Sequence, residues 1–150
     1  CDTLDEGTHV GHLCAERLAW LEAQLATGTA CHVFLHHNPL PLGDPASDAY
    51  SLRPEDQAAL REILVRYRDR VAHLHFGHVH GALCGSFAGI PVSGVPSTVH
   101  QVVPQIGTGR YLRTAPLQPA YRVVLSQGPD VVIHQIPFDW QAEVTEHSGS

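Results

Sequence analysis

The stretch "VAHLHFGHVHG" (residues 71–81) joins an apolar run to two histidines that stand between glycines. Residues 71–76 are rich in branched and aromatic side chains, which is typical of a buried β-strand. His78 and His80 follow this run at a spacing of two. Because residues two apart on an extended backbone point to the same side, the spacing predicts two imidazoles that can face one ligand or two adjacent ones.

A second histidine pair follows another apolar run upstream. Residues 31–36, "CHVFLH", are short and β-branched and predict a buried strand that ends at His36, directly before His37. Residues 37–53 carry proline, glycine and aspartate throughout and predict a long loop. Loops longer than about 12–15 residues are usually functional, so this loop is a candidate part of a site.

A helix between the two strands would complete a βαβ unit over residues 31–76. Pro54 suits the first position of a helix, and the acidic Glu55 and Asp56 complement the positive end of its dipole. A strand–helix–strand unit has parallel strands and a right-handed crossover. Parallel strands end at one edge of the sheet, where open α/β proteins bind ligands, so the two histidine pairs are expected to meet there.

The rest of the chain predicts an α/β protein whose second half is antiparallel. Apolar residues at helical spacing predict a helix over 12–26. After residue 81, short apolar pieces between Gly and Pro predict antiparallel strands and tight turns. A turn sequence between 120–126 and 131–138 predicts a hairpin, and the chain then ends in a polar tail.

Composition narrows the classes of partner. Twelve of the 150 residues are histidine, and three of them (His32, His73 and His75) lie inside the predicted strands, where packing is the expected role. The net charge of −6 makes a nucleic-acid polymer an unlikely partner. The four cysteines show no CxxC spacing, which predicts reduced thiols and a cytoplasmic location. No apolar run approaches the ~20 residues of a membrane span, so no membrane partner is expected.

Five stretches, in order, resemble the C-terminal half of a calcineurin-like metallophosphoesterase. The most specific are "FLHHNPLPLG" (34–43), "GHVHG" (77–81) and "GIPVSGVPSTVHQV" (89–102). The others are "GHLCAERLAWLEAQL" (11–25) and "PAYRVVLSQGPDVVIHQI" (119–136). Within the superfamily they are most similar to the bacterial branch of class III cyclic-nucleotide phosphodiesterases and glycerophosphodiesterases.

The resemblance implies a fold and a domain division. The family fold is a β-sandwich flanked by helices, in four layers ordered αββα. Residues 1–138 would then be the C-terminal portion of a single metallophosphoesterase domain whose N-terminal half is absent, and residues 139–150 a polar tail. Relatives assemble through C-terminal segments, so residues 82–138 are expected to support a homo-oligomer.

The resemblance also implies a site with two divalent metal ions, drawn from iron, manganese and zinc. His36 and His78 would bind one ion and His80 the other, and the choice of His36 over His37 rests on the family pattern. His37 and His100 would face the substrate or support the ligands. No catalytic residue can be assigned. Asn38 stands where the branch usually has proline, so His37 is expected to be held less firmly.

The function implied by the resemblance is two-metal hydrolysis of a small phosphodiester, either a cyclic nucleotide or a glycerophosphodiester. The family motifs D-x-H, G-D-x-x-D and G-N-H do not occur in this sequence, so activity is expected of a longer parent and not of this chain alone. One alternative is a non-catalytic lobe that binds one metal weakly or none. Another is a mononuclear zinc hydrolase built on His36, His78 and His80, with water as the fourth ligand.

Overall fold

The computed structural model describes residues 1–138, and the predicted polar tail at 139–150 lies outside the described residues. The described part is mixed α/β, which confirms the predicted class. In chain order its elements are α1 (Ala15–Ala26), β1 (Cys31–Leu35), α2 (Pro45–Asp48), α3 (Pro54–Arg66), a 3-10 turn (Arg68–Arg70), β2 (Val71–Phe76), β3 (Leu83–Phe87), β4 (Ile90–Gly94), β5 (Gln101–Val102), β6 (Thr114–Ala115), β7 (Ala120–Gln127) and β8 (Asp130–Pro137).

The βαβ unit forms one half of a four-stranded sheet with strand order β1-β2-β4-β3, in which β1 is an edge strand and β2 is central. β1 and β2 pair in parallel, as the sequence predicts, and the structure places Leu35 opposite Phe76 at the end of the ladder. The prediction of antiparallel strands after residue 81 is correct for β3 and β4. It is wrong for the pairing of β4 with β2, which is parallel, because the β3–β4 hairpin places its second strand against the buried centre of the sheet.

The apolar core lies on one face of this sheet. Strand alternation sends Val33 and Leu74 to this face and the histidines of the same strands to the other. The core cluster also includes leucines of both long helices, so burial of apolar surface joins the helices to the sheet. Its helical and strand members include Leu21, Leu25, Leu60, Ile63, Leu64, Leu35, Phe76 and Val92.

α1 begins three residues later than the spacing predicts. Cys14 has an extended backbone with ψ of 164° and precedes the first helical residue. The main-chain N–H of Leu13 donates to the buried carboxylate of Asp56 at 2.9 Å. The carbonyl of Gly11 accepts the N–H of Arg53 at 3.1 Å. A helix that began at His12 would need the Gly11 carbonyl to accept the N–H of Ala15, so the bond from Arg53 to this carbonyl opposes an earlier start of α1.

The predicted loop over 37–53 contains the short helix α2. Asp44 caps this helix by accepting the main-chain N–H of Ala46 at 3.2 Å. The same carboxylate accepts the N–H of Gln105 at 3.3 Å, which fastens the loop to a segment sixty-one residues away. Asp44 is buried, so the loop is a packed part of the fold.

The predicted C-terminal hairpin is confirmed. β7 and β8 pair in antiparallel register from Ala120 opposite Pro137 to Gln127 opposite Asp130. Gly128 sits in the turn with φ of 59°, a left-handed conformation that glycine adopts without strain. The hairpin forms its own two-stranded sheet. Over residues 1–138, every helix is too short or too polar to cross a membrane.

Truncation of Leu64 tests the position of the core. Leu64→Ala is expected to lower the free energy of unfolding by about 2–5 kcal/mol, because the side chain is 0% exposed and its removal leaves a cavity. The neighbouring Val65 is 55% exposed, so Val65→Ala should change stability by no more than about 0.5 kcal/mol. Urea denaturation of both variants measures the difference, and equal losses would contradict this packing.

Candidate metal centre

His36 and His78 are brought together by the parallel pairing of β1 and β2. His36 follows the last residue of β1, and Gly77 follows the last residue of β2. The N–H of Gly77 donates to the carbonyl of His36 at 3.0 Å, so pairing extends one step beyond the strands. Nε2 of His36 then lies 3.0 Å from Nδ1 of His78, which is a separation that two ligands of one cation can have.

His37 adds a third imidazole to this group. One nitrogen from each of His36, His37 and His78 lies within 4.8 Å of the others. The ring of His37 is centred 4.4 Å from that of His78 and 4.9 Å from that of His36. We call these three residues the histidine cluster.

His80 lies apart from the histidine cluster. The extended backbone on which His78 and His80 would share one side does not occur, because their φ angles are 62° and 45°. Such left-handed conformations are uncommon outside glycine and are concentrated at functional sites. Nδ1 of His80 is 3.1 Å from the carbonyl oxygen of His100, and their rings are centred 4.7 Å apart. The structure therefore separates the predicted ligands into two neighbouring groups.

One cavity of about 440 Å³ connects the two groups. His78, His80 and His100 line it together with Tyr50 and Leu112. Among the described residues that line it, the ionisable side chains are imidazoles and the phenol of Tyr50, and none is Asp, Glu, Lys or Arg. A small ligand in this cavity would contact imidazole nitrogens on one side and aromatic or apolar surface on the other.

The ring of His37 is fixed by Thr3 and Gly11, neither of which is singled out by a local sequence pattern. Oγ1 of the buried Thr3 lies 2.7 Å from Nδ1 of His37. A Cβ atom at Gly11 would lie 2.7 Å from the same nitrogen, so only glycine leaves room for the ring. Gly11 begins one of the stretches that carry the family resemblance, which is a signal for it, whereas Thr3 lies outside all of them.

Asn38, which stands where the branch usually has proline, is itself held by hydrogen bonds, whereas the missing proline predicts that the neighbouring His37 is held less firmly. The side chain of Asn38 is fully buried, and Nδ2 donates to Oγ of Ser51 at 2.6 Å and to the carbonyl of Leu40 at 2.9 Å. The main-chain carbonyl of Asn38 accepts the main-chain N–H of Leu52 at 3.2 Å. These bonds fasten the chain directly after His37 to the far end of the loop.

The histidine cluster is neutral at ordinary pH. Burial, and then the charge of His80, lowers the pKa of His36. Burial, followed by the charges of neighbouring imidazoles, lowers the pKa of His78 to about 4. The pKa of His37 is lowered chiefly by burial. Neutral imidazole is the form that binds zinc, iron and other transition metals, so the donor set fits a divalent cation of this kind.

A second group of imidazoles lies on the face of the sheet opposite the apolar core. Nδ1 of His32 is 3.1 Å from Nε2 of His75, and Nε2 of His73 is 2.9 Å from Oγ of Ser93. The ring of His75 stacks on Phe34 with centroids 4.5 Å apart. Burial, followed by the charges of His73, His32 and Arg122, lowers the pKa of His75 to about 4. These contacts support the packing role expected for the strand histidines.

Known proteins similar to this chain are phosphodiesterases. A probable cyclic nucleotide phosphodiesterase of Rhodopseudomonas palustris is 33% identical over 142 residues, which are 91% of this chain and 51% of that protein. The glycerophosphodiester phosphodiesterase GpdQ of Enterobacter lignolyticus is 35% identical over 94 residues, 61% of this chain and 33% of that protein. A cAMP/cGMP dual specificity phosphodiesterase of Mycobacterium tuberculosis is 38% identical over 103 residues, 66% of this chain and 30% of that protein.

The match covers part of each relative. The chain spans about half the length of the first relative and about a third of the other two. The matched part lies in their C-terminal half. No family model matches the chain.

Substitution of Gly11 tests how tightly the His37 ring is enclosed. Gly11→Ala should lower the free energy of unfolding by about 1–3 kcal/mol, since the new methyl group overlaps the ring. Gly85→Ala is the matched control, because the nearest atom to its Cβ would be 4.0 Å away. Urea denaturation gives the stabilities, and an unshifted His37 ring resonance in Gly11→Ala would contradict the close approach.

The buried histidines predict a loss of stability in acid. In the folded chain the pKa values of His75 and His78 are lowered to about 4, against an ordinary value of 6.5. Between these values the unfolded chain binds more protons, so the free energy of unfolding falls as the pH drops from about 6.5 to about 4. His75→Phe should make this fall shallower. Urea denaturation across the range measures it, and parallel curves for the two proteins would refute the assignment.

Proposed function

Because the chain is a homologue of the class III phosphodiesterases of the calcineurin-like family, we propose that it provides imidazole ligands to a metal-dependent phosphodiester hydrolase. The observation that carries this proposal is the 3.0 Å approach of His36 to His78 at the ends of two parallel strands. The activity belongs to a longer protein that includes the parts of the relatives that this chain does not match.

The proposed cofactor is a pair of divalent cations, drawn from iron, manganese and zinc. His36 and His78 would hold one ion and His80 the other, a division supported by the separation of His80 from the histidine cluster. Bound cations supply an activated water and stabilise charge on phosphoryl oxygens. The chain's own contribution is to hold neutral imidazoles in place before any cation arrives.

The proposed substrate is a small phosphodiester, either a cyclic nucleotide or a glycerophosphodiester. Both substrates are supported, because the relatives include cyclic-nucleotide phosphodiesterases and a glycerophosphodiester phosphodiesterase. The cavity beside His78 and His80 would take the organic group of the ester, with Tyr50 and Leu112 as its apolar wall and His100 at its rim. His37 would support the ligands or face the substrate.

We propose the domain organisation from the homology to the calcineurin-like phosphodiesterases. Residues 1–138 would form the C-terminal portion of one four-layer αββα domain. The face of the sheet opposite the helices supports this, since Phe34 on that face is 56% exposed. We propose a cytoplasmic location, which the four free cysteines support. We also propose a homo-oligomer, because Tyr121, Leu125 and Val132 leave apolar surface exposed on the hairpin.

A non-catalytic lobe is the second candidate. The histidine cluster in residues 1–138 contains no carboxylate, and the other family motifs do not occur in the sequence. Such a lobe would bind one cation weakly or none. A mononuclear zinc site of His36, His78 and His80 is less favoured, because the structure places His80 beside His100.

Calorimetric titration of the chain with zinc separates these candidates. His36→Gln and His78→Gln should each weaken binding by at least about tenfold, because each removes a ligand. His134→Gln, on the exposed face of the hairpin, is the control and should bind like the unchanged chain. Affinity that is insensitive to His78→Gln would refute the proposed centre.

The catalytic proposal needs the longer protein. With zinc or manganese present, it should hydrolyse bis(p-nitrophenyl) phosphate, and His78→Gln should reduce turnover by at least about tenfold. Zinc binding without hydrolysis in that protein would favour the non-catalytic lobe.

A further inference from the structure

We propose that the hydroxyl of Thr3 fixes His37 as the Nε2–H tautomer, so that His37 binds no cation and serves as a hydrogen-bond donor beside His36 and His78. This inference rests on the proposed function only for the statement that His36 and His78 bind a metal. The tautomer of His37 is decided by contacts within the chain.

The first step is the pair of contacts at the Thr3 hydroxyl. Thr3 is 1% exposed, so water does not compete for its polar atom. Its Oγ1 lies 2.7 Å from Nδ1 of His37 and accepts the main-chain N–H of the same residue at 3.4 Å. Within residues 1–138 this oxygen has no other hydrogen-bond partner.

The second step assigns the proton. A hydroxyl group has one hydrogen and two acceptor lone pairs. The main-chain N–H of His37 uses one lone pair. If Nδ1 also carried a proton it would use the second, and the hydroxyl hydrogen would point at no acceptor among the described residues. A buried donor without a partner is unfavourable, so the hydroxyl of Thr3 donates to Nδ1.

The third step follows from the chemistry of neutral imidazole, which has one N–H and one lone pair. With the lone pair of Nδ1 bonded to Thr3, the proton resides on Nε2. Neither nitrogen then has a free lone pair for a cation. A flipped ring would place a carbon against the hydroxyl and lose the bond to Thr3.

The result is a site with two ligands and one donor. His36 and His78 keep nitrogens that can face a cation, whereas the ring of His37 lies close enough to the backbone of His9 for a hydrogen bond that raises the pKa of His37. Thr3 is in this scheme a positioning residue that acts through His37.

Nitrogen-15 spectra of the histidine side chains test the tautomer directly. At about pH 8, where histidine is neutral, long-range proton–nitrogen correlations should show Nε2 of His37 protonated and Nδ1 unprotonated. Addition of zinc alone should shift the nitrogens of His36 and His78 and leave the His37 pattern unchanged. A proton on Nδ1, or loss of the Nε2 proton when zinc binds, would overturn the inference.

Two variants separate this role from a merely structural one. Thr3→Val removes the hydroxyl but keeps the shape, so His37 should populate both tautomers and zinc affinity should rise several-fold as a third imidazole becomes available. Thr3→Ser should restore the original spectrum and affinity. A change in urea stability with no change of tautomer in Thr3→Val would refute the role, and if that variant does not fold, the zinc experiment on the unchanged chain decides.

The outcomes also distinguish this inference from the proposed function. If zinc leaves the spectra of all three histidines unchanged, the proposed metal centre fails. The tautomer of His37 in the zinc-free chain would still confirm or refute the role of Thr3.

Discussion

The parallel hydrogen-bonded ladder between β1 and β2 is the constraint on which the rest of the structure depends. Its register sets Leu35 opposite Phe76, and the next bond, from Gly77 to the carbonyl of His36, carries the alignment into the histidine cluster. A slip of one residue would exchange the two faces of a strand. The same shift would remove apolar side chains from the core and separate His36 from His78. The packing of the core and the geometry of the site therefore depend on the same strand register.

That register also explains why the chain tolerates so many histidines. Each strand sends apolar side chains toward the helices and imidazoles toward the other face or the end of the sheet. Burial keeps the imidazoles neutral, as the lowered pKa values of His75 and His78 indicate. Neutral rings can then bond to one another, to Ser93 or to a cation, without the repulsion that protonated rings would create.

Distant segments complete the geometry of the site. Thr3 and Gly11 come from the chain before α1 and fix the ring of His37, while Ser51 anchors Asn38 directly after it. The left-handed conformations of His78 and His80 then direct the two imidazoles to different groups around one cavity. The site is therefore formed by residues from four separate parts of the chain, and the arrangement of its imidazoles differs from a simple alternation of side chains along one strand.

The sequence by itself determined the elements whose signals are local. Apolar runs and turn residues specified β1, β2, α3 and the C-terminal hairpin, and the βαβ order alone was enough to bring His36 toward His78. Only the tertiary structure decided where α1 begins, that α2 exists, that β4 runs parallel to β2, and that His80 turns toward His100. These features depend on bonds between residues far apart in sequence, such as Leu13 with Asp56 and Thr3 with His37, and on positive φ angles that no local pattern encodes. Local propensity fixes the period and the ends of an element approximately, whereas the partners of buried polar groups exist only once the chain has folded.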